Sequence, residues 1–248
     1  MRCKSRQTSR SRGLFFAMLS GVSFSIASVI VKRMKNLHPG QLALYRFIGT
    51  FVMSMPETVK TGQNPFGPRE FRFFLVLRGV FGGLSIFLNF ISFRYLSLGE
   101  ASVLIFSSPV VVTVFARIFF KEPCNFFQSI SVMLTVIGIV FITKLPARLT
   151  ANPLIPFVYS SEKIYSLVAA IFSMFCMSAM DLITRKVRHV HQSITNFNFG
   201  WVGILETAFL TVVLGNFKWQ HCGMQSIYIL LLALFSYSGI TFLVMAFQ

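Results

Sequence analysis

Charge is scarce in this 248-residue chain and acid is scarcest: charged side chains make up 12% of it, and only 7 residues are Asp or Glu. A soluble domain carries nearer a quarter charged residues, so an ordinary water-exposed surface is excluded. Cysteine is sparse as well. Cys3, Cys124, Cys176 and Cys222 are too scattered for a disulfide framework, no pair has metal-ligand spacing, and His189 and His191 read as a loop pair. There is no Asn-x-Ser/Thr acceptor, no Gly-rich phosphate loop, no nucleophile motif and no His-Asp pairing. The chain is therefore expected to be no enzyme, with no metal and no other cofactor.

What is abundant is apolar length. Hydrophobic residues make up 54%, mean hydropathy is +0.70, and 30 phenylalanines are spread over every apolar stretch. Charge-poor blocks run 13–31, 40–58, 73–93, 100–119, 126–143, 164–184, 196–215 and 226–247. A helix crossing ~30 Å of hydrocarbon needs roughly 20 mostly apolar residues. The expected fold class is all-α, a polytopic membrane helix bundle with about one span per block. The formal charge of +16 would suggest nucleic acid in a soluble chain. Here the basic residues lie between the blocks, where they meet lipid headgroups and fix topology, so the expected partner is the bilayer and not nucleic acid.

Residues 1–12 carry five Lys or Arg and no acid, and are read as a basic cytoplasmic tail before an uncleaved first span. With the N-terminus inside, the cytoplasmic segments hold 13 Lys or Arg and the opposite side 8, a modest positive-inside bias. Plasma membrane and the ER/Golgi membranes stay equally open.

Sliding the sequence by 153 residues lays Ser25-to-Lys35 over Ser178-to-Arg188 and pairs His38 with His191; a shift of three more sets Gly83 on Gly239. One such unit holds five blocks, an odd number, so the next unit enters the membrane from the other side. Two units related in this way form an inverted repeat, an architecture of secondary transporters with the site between the halves. The chain stops inside the eighth block, so the second repeat is expected to be truncated. The expected domains are a five-helix repeat at 13–145, a linker at 146–163 and a partial, three-helix repeat at 164–248.

Few ionisable or polar groups lie deep in a block, and each is a functional hypothesis because a charge at mid-bilayer costs several kcal/mol, from ~3 upward. Arg46 and Arg78 would offer planar donors to a carboxylate or phosphate, against snorkelling to the interface. Glu206 would be a proton-coupling group or a salt-bridge partner of either arginine. Asp181, beside Thr184 and Arg185, reads as an interfacial charge. Ser107, Ser108 and Pro109 would kink the fourth span and free a carbonyl for a midplane site or for packing. Asn89 suits a substrate contact or a helix-to-helix hydrogen bond. Gly79 and Gly83 permit close helix approach, within the bundle or in a homodimer.

Leu77-Arg78-Gly79-Val80-Phe81-Gly82-Gly83, Tyr95-Leu-Ser-Leu-Gly-Glu100-Ala101, Phe106-Ser107-Ser108-Pro109-Val110 and Phe120-Lys121-Glu122-Pro123 resemble the EamA-type repeat of the drug/metabolite transporter superfamily, with wording close to the solute carrier family 35 member G branch. The resemblance implies two inverted five-helix repeats, cytoplasmic termini and alternating access for a small organic metabolite. Within it, Glu100 and Glu122 read as structural or gating charges. The expected function is secondary transport of small, anionic-leaning organic metabolites. The alternative is a membrane interaction or regulatory subunit without flux, bound to a membrane-protein partner.

Overall fold

A computed structural model describes residues 2–34, 37–62, 64–120, 130, 133–134, 137–138, 141, 161–214 and 224–247. The helices are α1 (Arg2–Arg33), α2 (Pro39–Thr61), α3 (Arg72–Tyr95), α4 (Leu98–Phe106), α5 (Ser108–Phe120), α6 (Ser161–Lys186), α7 (Gln192–Leu214) and α8 (Met224–Phe247). Most of the block at 126–143 and of the linker at 146–163 lies outside the described residues, as do Glu122, Cys124, Cys222 and the side chain of Cys3.

Local chemistry sets the helix ends. Ser97 and Glu100 form a capping box at the start of α4, satisfying two amides that the helix leaves free. At the start of α2, the His38 ring accepts from the Gly40 amide and Pro39 enters the first turn. That helix stops at Gly62, whose φ of 64° is the left-handed conformation that returns its amide to the Val59 carbonyl. The expected kink in the fourth span falls one step earlier than proline. Its helix breaks at Ser107, and Pro109 opens α5 instead of bending a continuous rod, a position where its missing amide costs little.

Among the described residues, four helical segments, Gly13–Arg33, Arg72–Tyr95, Ile164–Lys186 and Gln225–Ala246, are long and apolar enough to cross a bilayer. The bundle presents apolar side chains outward, among them Phe15 and Met18 of α1, Phe172 of α6, and Leu205, Phe209 and Val212 of α7. Polar side chains point inward: Gln41, Ser54, Ser173 and Asn196 have no exposed surface. This is an integral, multi-pass membrane architecture, in which lipid replaces water as the outer solvent. Helices α2 and α7, at 23 residues each, pack face to face and bury Gln41, Ser54, Asn196 and Thr207 within the bundle.

Three antiparallel pairs make the core: α1 with α8, α2 with α7, and α3 with α6. Ser20 donates to the Gly239 carbonyl, and Gly13 lies against Ala246. Thr58, near the end of α2, donates to Ser193 at the start of α7, while Gly40 at the start of α2 abuts Thr211 near the end of α7. On α3 and α6, Arg78 meets Thr184 and Ser92 meets Ser166. A second contact of α3, along its glycines, fastens it to α7.

Candidate functional site

Arg78 sits where α3, α6 and α7 meet. The close approach follows from glycine: Gly79 faces Val202, Gly82 faces Phe199 and Met180, and Gly83 faces Glu206 and Gly203, so the expected tight contact forms inside the bundle. Arg78 is 1% exposed, too deep to snorkel. Its Nε donates to Thr184 Oγ1 at 2.8 Å and its Nη1 to the Thr195 carbonyl at 3.4 Å, while the guanidinium lies 5.0 Å from the Phe199 ring centroid. Its Nη2 is buried without a hydrogen-bond partner. A buried charge-bearing donor left open is costly unless something fills it.

The carboxylate facing Arg78 is Asp181, three residues before Thr184 on the same face of α6. Asp181 is partly buried as a residue and lies beside Arg185, but its Oδ1 is buried and also without a partner. Glu206 does not take the role of salt-bridge partner to Arg78. Its Oε2 is packed against Gly83 with no hydrogen-bond partner, and the group facing it from α6 is Cys176.

Arg46 is buried as well, stacked between Phe24 at 5.5 Å and Phe90 at 5.9 Å, so aromatic faces hold it instead of the membrane surface. The structure does not bring it to Arg78. Asn89 makes the helix-to-helix bond: its Oδ1 accepts from Ser173 of α6, which also donates to the Ser85 carbonyl at 3.0 Å. Ser107 Oγ bonds back to the Leu104 carbonyl and reaches Met174 Sδ at 3.0 Å, and the Ser108 carbonyl accepts from Ser178 at 3.2 Å. The Ser108 carbonyl, in the first turn of α5, thus takes a donor from α6 that ties the two helices together at the break. The Glu100 carboxylate is occupied in its capping box.

The first turns of α7 are the part of the site that sequence reasoning passed over. Ser193 donates to Glu57 Oε2 of α2 at 3.3 Å, the Thr195 carbonyl accepts from Arg78, and Asn196 donates to Thr241 of α8 at 3.0 Å. Ile194, between them, lines an open cavity of about 470 Å³ with Gly62, Asn64, Gly67 and Pro68. The Asn198 amide donates to the Pro65 carbonyl at 2.9 Å and so ties that loop to α7. The cavity and the Arg78 contact thus fall on neighbouring residues of α7, Ile194 and Thr195. The available signal was the polar run Gln192-Ser-Ile-Thr-Asn-Phe-Asn198, too hydrophilic for a lipid-facing turn.

A profile of the EamA-like transporter family matches residues 11–144, more than half of the chain. Solute carrier family 35 member G1 of Homo sapiens is 27% identical over 242 residues, and its Mus musculus counterpart 28% over 237; each alignment covers 95% of this chain. The chain spans 65% and 64% of the length of those two proteins. The pseudopaline exporter CntI of Pseudomonas aeruginosa is 26% identical over 180 residues, covering 71% of this chain and 58% of the exporter. A crystal structure with 15% identity superposes with a TM-score of 0.66, covering 97% of this chain and 78% of the other, a likeness of fold. The solute carriers and the exporter are transporters by name, not enzymes.

Proposed function

We propose that this chain, which belongs to the EamA-like transporter family, carries a small organic metabolite across its membrane by alternating access and binds an anionic group of that metabolite at Arg78. The observation that carries this reading is the unfilled Nη2 of a wholly buried arginine at the junction of α3, α6 and α7. Guanidinium keeps its charge at any working pH and presents its donors in a fixed fork, which suits a carboxylate or phosphate. The first turn of α7 adds the positive end of a helix dipole. The similar proteins, a solute carrier and an exporter by name, point the same way.

The moving parts are two inverted repeats, 13–145 and the partner portion at 164–248, joined by 146–163, with α2, the α4–α5 pair and α7 also crossing the membrane. The hydrogen bonds support this arrangement because they exchange under the 153-residue shift. His38 accepts from Gly40 as His191 accepts from Ser193; Ser20 donates to the Gly239 carbonyl, and its counterpart Ser173 donates to the Ser85 carbonyl, one residue short of the exact shift. The N-terminus faces the cytoplasm.

Proteoliposomes holding the protein test the function. Radiolabelled mono- and dicarboxylates and sugar phosphates are offered at pH 7. Uptake of at least one is expected above empty vesicles, with Arg78→Gln lowering it at least tenfold, as loss of a charge-assisted bond worth about 1.5–3 kcal/mol predicts. Background uptake across the whole set, with a folded protein by melting, overturns the reading.

A further inference from the structure

We infer that Arg78 and Asp181 together form a bipolar seat, so that the solute recognised is a zwitterion whose carboxylate meets Arg78 and whose ammonium meets Asp181. This rests on the proposal that Arg78 holds an anionic group. Two observations on different helices carry the extension. Arg78 Nη2 on α3 and Asp181 Oδ1 on α6 are both buried and both lack a hydrogen-bond partner. They also belong to one locale: Thr184, one turn from Asp181, is the group to which Arg78 Nε donates, and Asp181 is the charge that acts on Arg78.

Two open atoms of opposite sign at one seam specify a ligand by what each would leave unmet. A plain carboxylate fills Nη2 but sets its charge beside Asp181. An amine fills Oδ1 but meets the guanidinium. A zwitterion satisfies both and brings no net charge into the low-dielectric interior, so discrimination arises as much from repulsion of the wrong ligand as from attraction of the right one. Arg185 also acts on Asp181, but it is on the exposed side of α6 and leaves Oδ1 unfilled.

The test uses the full chain in lipid nanodiscs and two matched sets of probes. One is leucine, 4-methylpentanoate and isopentylamine; the other is glutamine, 4-carbamoylbutanoate and 4-aminobutanamide. Ligand-induced rise in melting temperature is titrated to a midpoint concentration. At least one zwitterion is expected to have a midpoint at least tenfold lower than its deaminated and decarboxylated relatives. Asp181→Asn should abolish that advantage and leave the carboxylate's midpoint unchanged or lower, and Asp181→Glu should restore part of it. If carboxylates bind through Arg78 and the zwitterions bind no better, or if Asp181→Asn weakens carboxylate and zwitterion alike, the bipolar seat is overturned while the anion reading stands. If no probe of either set binds, the seat is overturned, and the proteoliposome uptake decides the anion reading separately.

Discussion

At the scale of single residues, the glycines of α3 differ in what a methyl group would strike. A Cβ on Gly79 would lie 2.6 Å from Val202 Cβ, a branched atom next to the backbone that cannot swing aside. Gly79→Ala should therefore push α3 from α7 and cost about 1–3 kcal/mol, read as a lower melting temperature in detergent. A Cβ on Gly83 would meet chiefly the carboxylate end of Glu206, with Gly203 Cα at an ordinary 3.6 Å. Gly83→Ala should be harmful alone and nearly neutral in combination with Glu206→Ala; additive losses in that double-mutant cycle would refute the contact. His38 gives a pH signature. Burial, and then the neighbouring Arg94, lower its pKa from 6.5, and its ring must stay unprotonated at the nitrogen that accepts from Gly40. The unfolded chain takes up a proton near pH 6.5 while the folded one resists. Its contribution is thus complete above that pH and is lost as pH falls below it toward the folded value. Melting temperature should decline from pH 7 to pH 5 more steeply in the parent than in His38→Asn, which still caps the helix without titrating.

At the scale of elements, hydroxyl bonds join α3 to α6: Ser92 to Ser166, Ser173 to Ser85 and Asn89, Arg78 to Thr184. Interhelical bonds of this kind average about 0.6 kcal/mol in lipid, with a maximum near 1.7, because an unfolded helix also finds partners there. Ser173→Ala, which removes two, should cost about 1 kcal/mol. Ser178→Ala should act differently, since it removes the hydroxyl that ties the first turn of α5 to α6. Faster amide exchange confined to the start of α5 is the expected sign, and unchanged exchange there would deny Ser178 that role. The sequence made the elements legible because hydropathy reports immersion directly: the described helices fall on the apolar blocks. It did not disclose neighbours. Arg46 and Arg78 looked alike in depth, yet one is sandwiched by Phe24 and Phe90 and the other is held by Thr184 and Thr195. Asp181 reads as interfacial because Arg185 follows it, and the burial of its Oδ1 against α3 is a tertiary fact with no local trace. Likewise, the polar start of α7 resembled a loop, because only the helices around it make such a turn tolerable.

At the scale of the whole molecule, the three antiparallel pairs relate one half to the other. Helix α1 packs on α8 and α3 on α6, while the middle helices α2 and α7 pack on each other. Swapping the halves by 153 residues exchanges α1 with α6 and α3 with α8, so each outer pair becomes the other and the central pair maps onto itself. The Thr58–Ser193 contact then becomes Thr211–Gly40, and both are present. The proposed two-fold axis in the membrane plane would do this, whereas an axis along the membrane normal would leave corresponding helices parallel. The proposal thus expects the loop after α1 and the loop after α6 on opposite faces. Arg33 ends α1 and His191 precedes α7, and both are exposed. With the four native cysteines replaced, Arg33→Cys and His191→Cys single variants are labelled with a membrane-impermeant maleimide in intact cells and again after permeabilisation. With the N-terminus cytoplasmic, as proposed from the excess of basic residues on its side, the direction of each label follows. Arg33→Cys should react in intact cells if the protein is at the cell surface, or from the lumenal side of sealed microsomes. His191→Cys should react from the cytoplasmic side alone. Labelling of both positions from one face would remove the two-fold axis, and with it the rocking of one half against the other by which the Arg78 seat would open first to one side and then to the other.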